Sequence, residues 1–244
     1  MQANTKSLPV PGELFEVDGC EAFLIRAEQK SDRYSPWVWY APTLPPYPDA
    51  NEKWMFERFL ARGITIAGID VGESYGSPVG RHIYSSLYRH MVGLEFSLRP
   101  ALLPRSRGGL IFYNWAVEHA DSVSCIAGIY PVCSLVSFLG ADRACEAYGM
   151  TPGELTDALA QNNPIERLNP LVDANVPIYH IHGDRDDVVP IEGNSGDLAE
   201  RYTTLGGQMT LNVAAGQGHS LWEGFFRDEV LITFVIEHAG ANRG

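Results

Sequence analysis

The chain has 244 residues with a hydrophobic share of 45%, enough to bury a sizeable core in a single α/β unit. No apolar run reaches the roughly 20 residues that cross a bilayer, and the opening MQANTKSLPV lacks the apolar stretch of a secretion signal. A formal net charge of −12 weighs against nucleic acid or an anionic membrane as a partner. A trimmed secreted chain would read the same, so cytoplasmic and secreted locations both stay open.

In chain order, GELFEVDG and EAFLIRAE predict a hairpin turning at Asp18 and Gly19. WVWYAP, from Trp37 to Pro42, predicts a strand closed by proline. In NEKWMFERFLARG, Trp54, Met55, Phe59 and Leu60 recur at helical spacing and Gly63 stops the helix. ITIAGID is apolar throughout, as a strand buried on both faces should be. A strand begins at Ala101 to Leu103, and a helix is predicted over Leu110 to His119. SVSCIAGIYPV, VPIYHIHGD and MTLNVAAGQGH supply three more strands. A final helix is predicted from Trp222 to His238, with Phe225, Phe226, Val230, Leu231, Phe234 and Val235 on its apolar side.

This alternation predicts an α/β fold, a mostly parallel central sheet with helices on both faces. The rhythm breaks between Val132 and Asn175, where TPGE at Thr151 fits a capping box with proline at the first helical position. Residues 133–175 are expected to form a small lid or cap insertion within one domain covering 1–244, since no linker, repeat or low-complexity tract interrupts the chain. Of four cysteines, Cys125 lies in an apolar run and reads as a buried small hydrophobe. Cys133 and Cys145 flank a loop-like segment and are candidates to pair, while Cys20 stands apart; no C-x-x-C spacing occurs.

Parallel sheets place ligands at the carboxyl ends of their strands. Three polar groups fall there: Ser106, the acids from Asp184 to Asp187, and His219. Ser106 stands in PRSRGG, close to the G-x-S-x-G nucleophile elbow, with Gly108 in the second glycine position and Pro104 replacing the first. A plain helix N-cap is the alternative. Arg105 and Arg107 flank a helix start, where the dipole disfavours cations by about 0.3–1 kcal/mol each. They are candidates to hold a substrate carboxylate or a developing oxyanion, against solvated charges or ion pairs. In HIHGDRDDVVP, Asp186 could accept from a histidine Nδ1–H and orient the ring, with Asp184 and Asp187 as competitors. His219 follows Gly216 and Gly218, which suit a turn after a strand.

PRSRGG, HGDRDDVVP and GQGH, in that order, resemble the α/β-hydrolase superfamily in its dienelactone-hydrolase and prolyl-oligopeptidase-like branch, from about Trp37 onward. The resemblance implies Ser106 as nucleophile, Asp186 as acid and His219 as base, with no cofactor. It also implies an oxyanion hole from the N–H of Arg107 and an N–H after WVWYAP, at Thr43 or Leu44; that loop has no H-G-G stretch. The S-R-x-G order is similar to glucuronoyl esterases, in which the arginine after the serine assists the oxyanion.

The expected function is a serine hydrolase cleaving carboxylic esters through an acyl-enzyme, with acetyl, feruloyl or uronoyl esters of carbohydrates as candidate substrates. A prolyl-oligopeptidase-like peptidase is the alternative within the fold. Two readings of other classes are a metal-dependent hydrolase using His180, His182 and Asp184, which echo H-x-H-x-D, and a non-catalytic binding protein. In the first, Arg185 stands where that pattern continues with histidine; His182 is expected beside the triad as support and His180 as a structural residue. DVGESYGSPVGR follows a strand end, so Glu73, Tyr75 and Arg81, with Trp222, are expected at the rim as substrate contacts.

Overall fold

The computed structural model describes residues 6–28, 34–138 and 140–239, without the side chains of 138–143. The strands are β1 (Glu13–Val17), β2 (Cys20–Ile25), β3 (Trp37–Ala41), β4 (Thr65–Ile69), β5 (Ala101–Pro104), β6 (Cys125–Ile129), β7 (Ile178–Gly183) and β8 (Met209–Ala214). Among the described residues they form one eight-stranded sheet in the order β1-β2-β4-β3-β5-β6-β7-β8. β1 and β2 join antiparallel; from β4 to β8 every pairing is parallel. The hairpin turns at Asp18 and Gly19, both at positive φ (50° and 74°), as a tight two-residue turn requires.

Period-two alternation sorts the strand residues into two cores. Trp37, Trp39 and Ala41 of β3 face one core; Val38 and Tyr40 face the other. That is why WVWYA reads as unbroken apolar sequence: both faces are covered. The first face carries α2 (Pro78–Gly93), α3 (Gly108–Glu118), α8 (Asn169–Asp173) and α9 (Asp197–Thr204). The second carries α1 (Lys53–Leu60), α10 (Glu223–Phe226) and α11 (Glu229–Ala239). α3 is buried from Gly108 to Val117, all round its circumference, so its sequence shows no polar stripe.

Between β6 and β7 lie α4 (Leu135–Phe138), α5 (Gly140–Tyr148), α6 (Pro152–Asp157), α7 (Leu159–Asn162) and then α8. Thr151 and Glu154 make the capping box that TPGE predicts. Leu135, Ala144, Tyr148 and Leu155 share a small third core with Leu110, Val132 and Val189. Ile165, Leu168 and Leu171 instead join the first large core, so the later part of 133–175 packs as ordinary sheet-covering structure.

Three sequence expectations change. α2 is a sixteen-residue helix where the sequence pattern predicts none; Ser77 caps it, accepting from Gly80 N–H, and Pro78 opens it. The last helix is two, broken at Arg227 and Asp228. Asp228 Oδ1 caps α11 through Val230 and Leu231 N–H, while its Oδ2 accepts from Tyr179 and Asn212. No disulfide joins Cys133 and Cys145. Cys133 is sealed in the first large core, its Sγ 3.5 Å from Pro131 O, whereas Cys145 packs on the third.

Candidate active site

β5 ends at Pro104, and the chain turns sharply through Ser106 into α3. Pro104 is tolerated there because its neighbour carries the pairing onward: Arg105 N–H donates to Ala41 O at 2.8 Å. Ser106 has φ of 50°, a left-handed conformation costing roughly 1–2 kcal/mol outside glycine. Its N–H donates to Ile129 O at 3.0 Å and its carbonyl accepts from Val132 N–H at 2.8 Å, so the end of β6 and the loop after it hold the turn. The glycine pair has a steric cause. A Cβ at Gly108 would stand 2.3 Å from Ala41 O, and one at Gly109 2.3 Å from Val132 O. Only bare backbone lets α3 enter between these loops.

The elbow presents Ser106 Oγ 3.0 Å from His219 Nε2. His219 Nδ1 lies 2.8 Å from Asp186 Oδ2. Of the three competing acids, Asp184 and Asp187 are exposed and Asp186 is buried; Asp184 Oδ1 instead accepts from Gly216 N–H. Asp186 Oδ1 accepts from Val188 N–H at 3.1 Å and Val189 N–H at 2.8 Å. Burial alone would raise the Asp186 pKa; hydrogen bonds from His182, His219 and Val189 N–H, with the His219 charge, outweigh it and hold the carboxyl well below the ordinary range. Tyr130, itself at φ 35°, packs its ring 4.4 Å from the His219 ring.

These groups open on a cleft of about 320 Å³ lined by Pro42, Tyr47, Arg105, Ser106, Arg107, Tyr130, Val188, His219, Ser220 and Leu221. The N–H of Arg107, at the cap of α3, has no acceptor among the described residues, and neither has the N–H of Thr43. Thr43 follows the cis Ala41–Pro42 bond, and its hydroxyl donates to Ile69 O.

The two arginines part company. Arg107 reaches outward and pairs with Glu73 at the rim, both side chains more than a third exposed. Arg105 is buried: Nη1 bonds Glu52 Oε1 at 2.6 Å and Asp49 Oδ2 at 3.3 Å, and Nε donates to Tyr130 Oη at 3.2 Å. Its guanidinium lies 4.6 Å from the Tyr47 ring centre and 4.8 Å from that of Phe226. Its charge is already met by two carboxylates, so it is not the free carboxylate anchor that the sequence suggested. Burial pushes the Glu52 pKa up against the pull of Arg105.

Other rim expectations sort similarly. Tyr75 and Trp222 do not line the cleft: Tyr75 packs against the third core, and Trp222 meets the Phe225 ring edge-on at 5.2 Å. Arg81 turns away to Glu118, 3.0 Å distant. His180 and His182 meet protein partners with all four ring nitrogens: Tyr113 Oη, Ser195 Oγ twice, and Val189 O. No nitrogen is left for a metal, and among the described residues no cluster of three or more His, Cys, Asp or Glu is arranged to hold one. Sequence reasoning missed Tyr47, Glu52, Tyr130 and Ser195. None carried a signal, since aromatic residues, a serine and an acid near a helix start are equally ordinary as structure.

No family model matches the sequence, and no curated protein matches it. Among solved structures, a puromycin-hydrolysing peptidase of Mycobacterium tuberculosis aligns with a TM-score of 0.74 at 16% identity, over 96% of this chain and 41% of its own. An S-formylglutathione hydrolase from Agrobacterium tumefaciens gives 0.71 at 14% identity, over 94% of each chain. Est1E from Butyrivibrio proteoclasticus gives 0.66 at 14% identity, over 94% of this chain and 99% of its own. The chain thus spans about two-fifths of the peptidase and nearly all of the other two. Sheet order and these likenesses make the fold that of the α/β-hydrolases.

Proposed function

We propose that this protein is a serine hydrolase that cleaves carboxylic esters through an acyl-enzyme. The observation that carries this reading is the unbroken contact from Ser106 Oγ through the His219 ring to buried Asp186. In the proposed reaction His219 Nε2 takes the Ser106 proton as Oγ attacks the ester carbonyl. The N–H groups of Arg107 and Thr43 receive the oxyanion; losing one such donor typically costs about 10²–10³ in rate. Collapse breaks the C–O bond, and the alcohol leaves with the proton from His219. Water, deprotonated by His219, then releases the acid and returns the proton to Ser106.

The cleft lining favours esters over a peptide with a free amino terminus. Among the described residues no carboxylate lines it, while Asp49, Glu52 and Glu73 are all engaged by arginine. Tyr47, Tyr130, Val188 and Leu221 suit a short or aromatic acyl group. A second hollow of about 390 Å³, lined by Asn51, Lys53, Trp54, Glu57 and Arg227 among others, shares Leu221 with the first. An indole amid polar side chains suits a sugar ring, so a saccharide-linked ester would place its acyl group in one hollow and its alcohol in the other. α4 to α7, which pack on Leu110, Val132 and Val189, serve in this reading as the cap.

The test is fluorophosphonate labelling, followed by a panel of p-nitrophenyl esters, acetylated and feruloylated sugars, and aminoacyl amides. Ester turnover and labelling are expected in wild type, with both lost in Ser106→Ala. Amide turnover exceeding ester turnover would favour the peptidase. Activity that survives Ser106→Ala but not a chelator would overturn the serine mechanism. Trp54→Ala is expected to raise KM several-fold for sugar esters and leave p-nitrophenyl esters unchanged.

A further inference from the structure

The sequence NSG at 194–196 belongs to no motif of the reaction above, yet it forms the one π-helical turn among the described residues, Glu192–Gly196. Its wide ring closes through Gly196 N–H to Ile191 O at 2.7 Å. Such single turns cost helix geometry and recur at functional sites. Here the turn sends two consecutive side chains, Asn194 and Ser195, fully into the interior.

We propose that Ser195 and Asn194 are positioning residues that fix the turn carrying Asp186, through a directed hydrogen-bond chain running from Tyr113 by way of His180, Ser195 and His182. The proposal rests on the reading of Ser106, His219 and Asp186 as a triad. The chain's direction follows from its last link. His182 Nε2 lies 2.8 Å from Val189 O and 3.4 Å from Asp186 Oδ2. Both partners only accept, so Nε2 bears the hydrogen. In the neutral ring Nδ1 must then accept, and the Ser195 hydroxyl, 2.8 Å away, must donate to it. Having spent its one hydrogen, Ser195 Oγ accepts from His180 Nδ1–H at 2.9 Å. His180 Nε2 accepts in turn from Tyr113 O–H at 2.7 Å. Burial, then His182, push the His180 pKa down to about 3, which keeps that ring neutral.

The chain acts on the acid through the backbone. His182 grips the Val189 carbonyl, and the N–H of the same residue, with that of Val188, holds Asp186 Oδ1. Asn194 grips the next residue: its Nδ2 donates to Pro190 O at 2.9 Å. Its Oδ1 accepts from Cys133 N–H at 2.8 Å and Ser134 N–H at 3.3 Å, where the helical insertion begins. One π-turn therefore ties together the acid loop, the strand histidines and the foot of the insertion. Removing the Ser195 hydroxyl leaves two Nδ1 atoms facing each other without a mediator, and frees the Val189 carbonyl to drift.

The first test needs no variant. Nitrogen-15 NMR of wild type is expected to find His182 as the Nε2–H tautomer and His180 as the Nδ1–H tautomer; the reverse assignment overturns the chain. In Ser195→Ala, kcat is expected to fall about 10- to 100-fold with KM unchanged. The downfield His219 Nδ1–H resonance should broaden or shift, and Ser195→Thr should recover part of both. Unchanged kcat and resonance in a folded Ser195→Ala protein overturn the proposal. Failure of wild type to label at Ser106 would instead sink the hydrolase reading, while the tautomers still decide the chain.

Discussion

Arg105 and Arg107 sit two apart in the sequence and do opposite things. Arg105 still pairs like a strand residue, so its side chain falls on the same face as Leu103, toward Tyr130 and Phe226 of the second core. Arg107 belongs to the helix cap and escapes to the rim. A buried pair loses most when only one partner goes, because the survivor is left charged and unsolvated. Arg105→Met, which strands Glu52, is therefore expected to cost about 3–5 kcal/mol in urea unfolding. Arg105→Met combined with Glu52→Gln should regain a large part of that loss. Arg107→Ala should stay within about 1 kcal/mol of wild type, since its pair is solvent-screened. Equal costs for the two single variants would refute this division. The sequence shows both arginines as unusual at a helix start but hides the strand parity that separates them.

At the scale of elements, the elbow is a junction of three backbone segments, and its geometry depends on missing side chains. Gly108→Ala would drive a Cβ into Ala41 O, so the loop bearing Pro42 and Thr43 must yield. The expected outcome is a stability loss of about 1–3 kcal/mol and a fall in kcat near 10²-fold from a misplaced oxyanion donor. Wild-type kcat in a folded Gly108→Ala protein would mean that this loop supplies no donor. The capping box at Thr151 is local, and Thr151→Ala should cost about 1 kcal/mol without touching kinetics. β3 to β7 were readable because buried parallel strands are largely apolar, while β1, β2 and β8 were set off by the turn residues beside them. α2 was not, because its glycines, serines and tyrosines dilute the apolar stripe and Pro78 reads equally as loop. The break at Asp228 was hidden because apolar residues continue on both sides of it. That Ser106, His219 and one of three acids would meet was legible from their order and strand ends; which acid needed burial.

Across the whole molecule, the buried ionisable groups couple folding to pH, and their signs differ. His180 titrates near 6.5 when unfolded and near 3 when folded. Between those values the unfolded chain binds the extra proton, so stability present above pH 6.5 is lost as pH falls toward 3. Asp186 is also depressed, so its contribution, present above the ordinary carboxylate range, fades only below about pH 4. Glu52 is raised by burial and works the other way, favouring the fold at low pH and losing that contribution as pH rises. The His180 contribution has a limiting slope of about 1.4 kcal/mol per pH unit. Urea unfolding in steps from pH 7.5 to pH 5 should show a loss of about 2 kcal/mol from this ring. In His180→Gln the midpoint at pH 7.5 is lower, but its decline over that interval should be shallower by the same amount. Parallel declines in the two proteins would mean that the ring takes up its proton in the folded state, and that the hydrogen bonds from Tyr113 and to Ser195 do not depend on its neutrality.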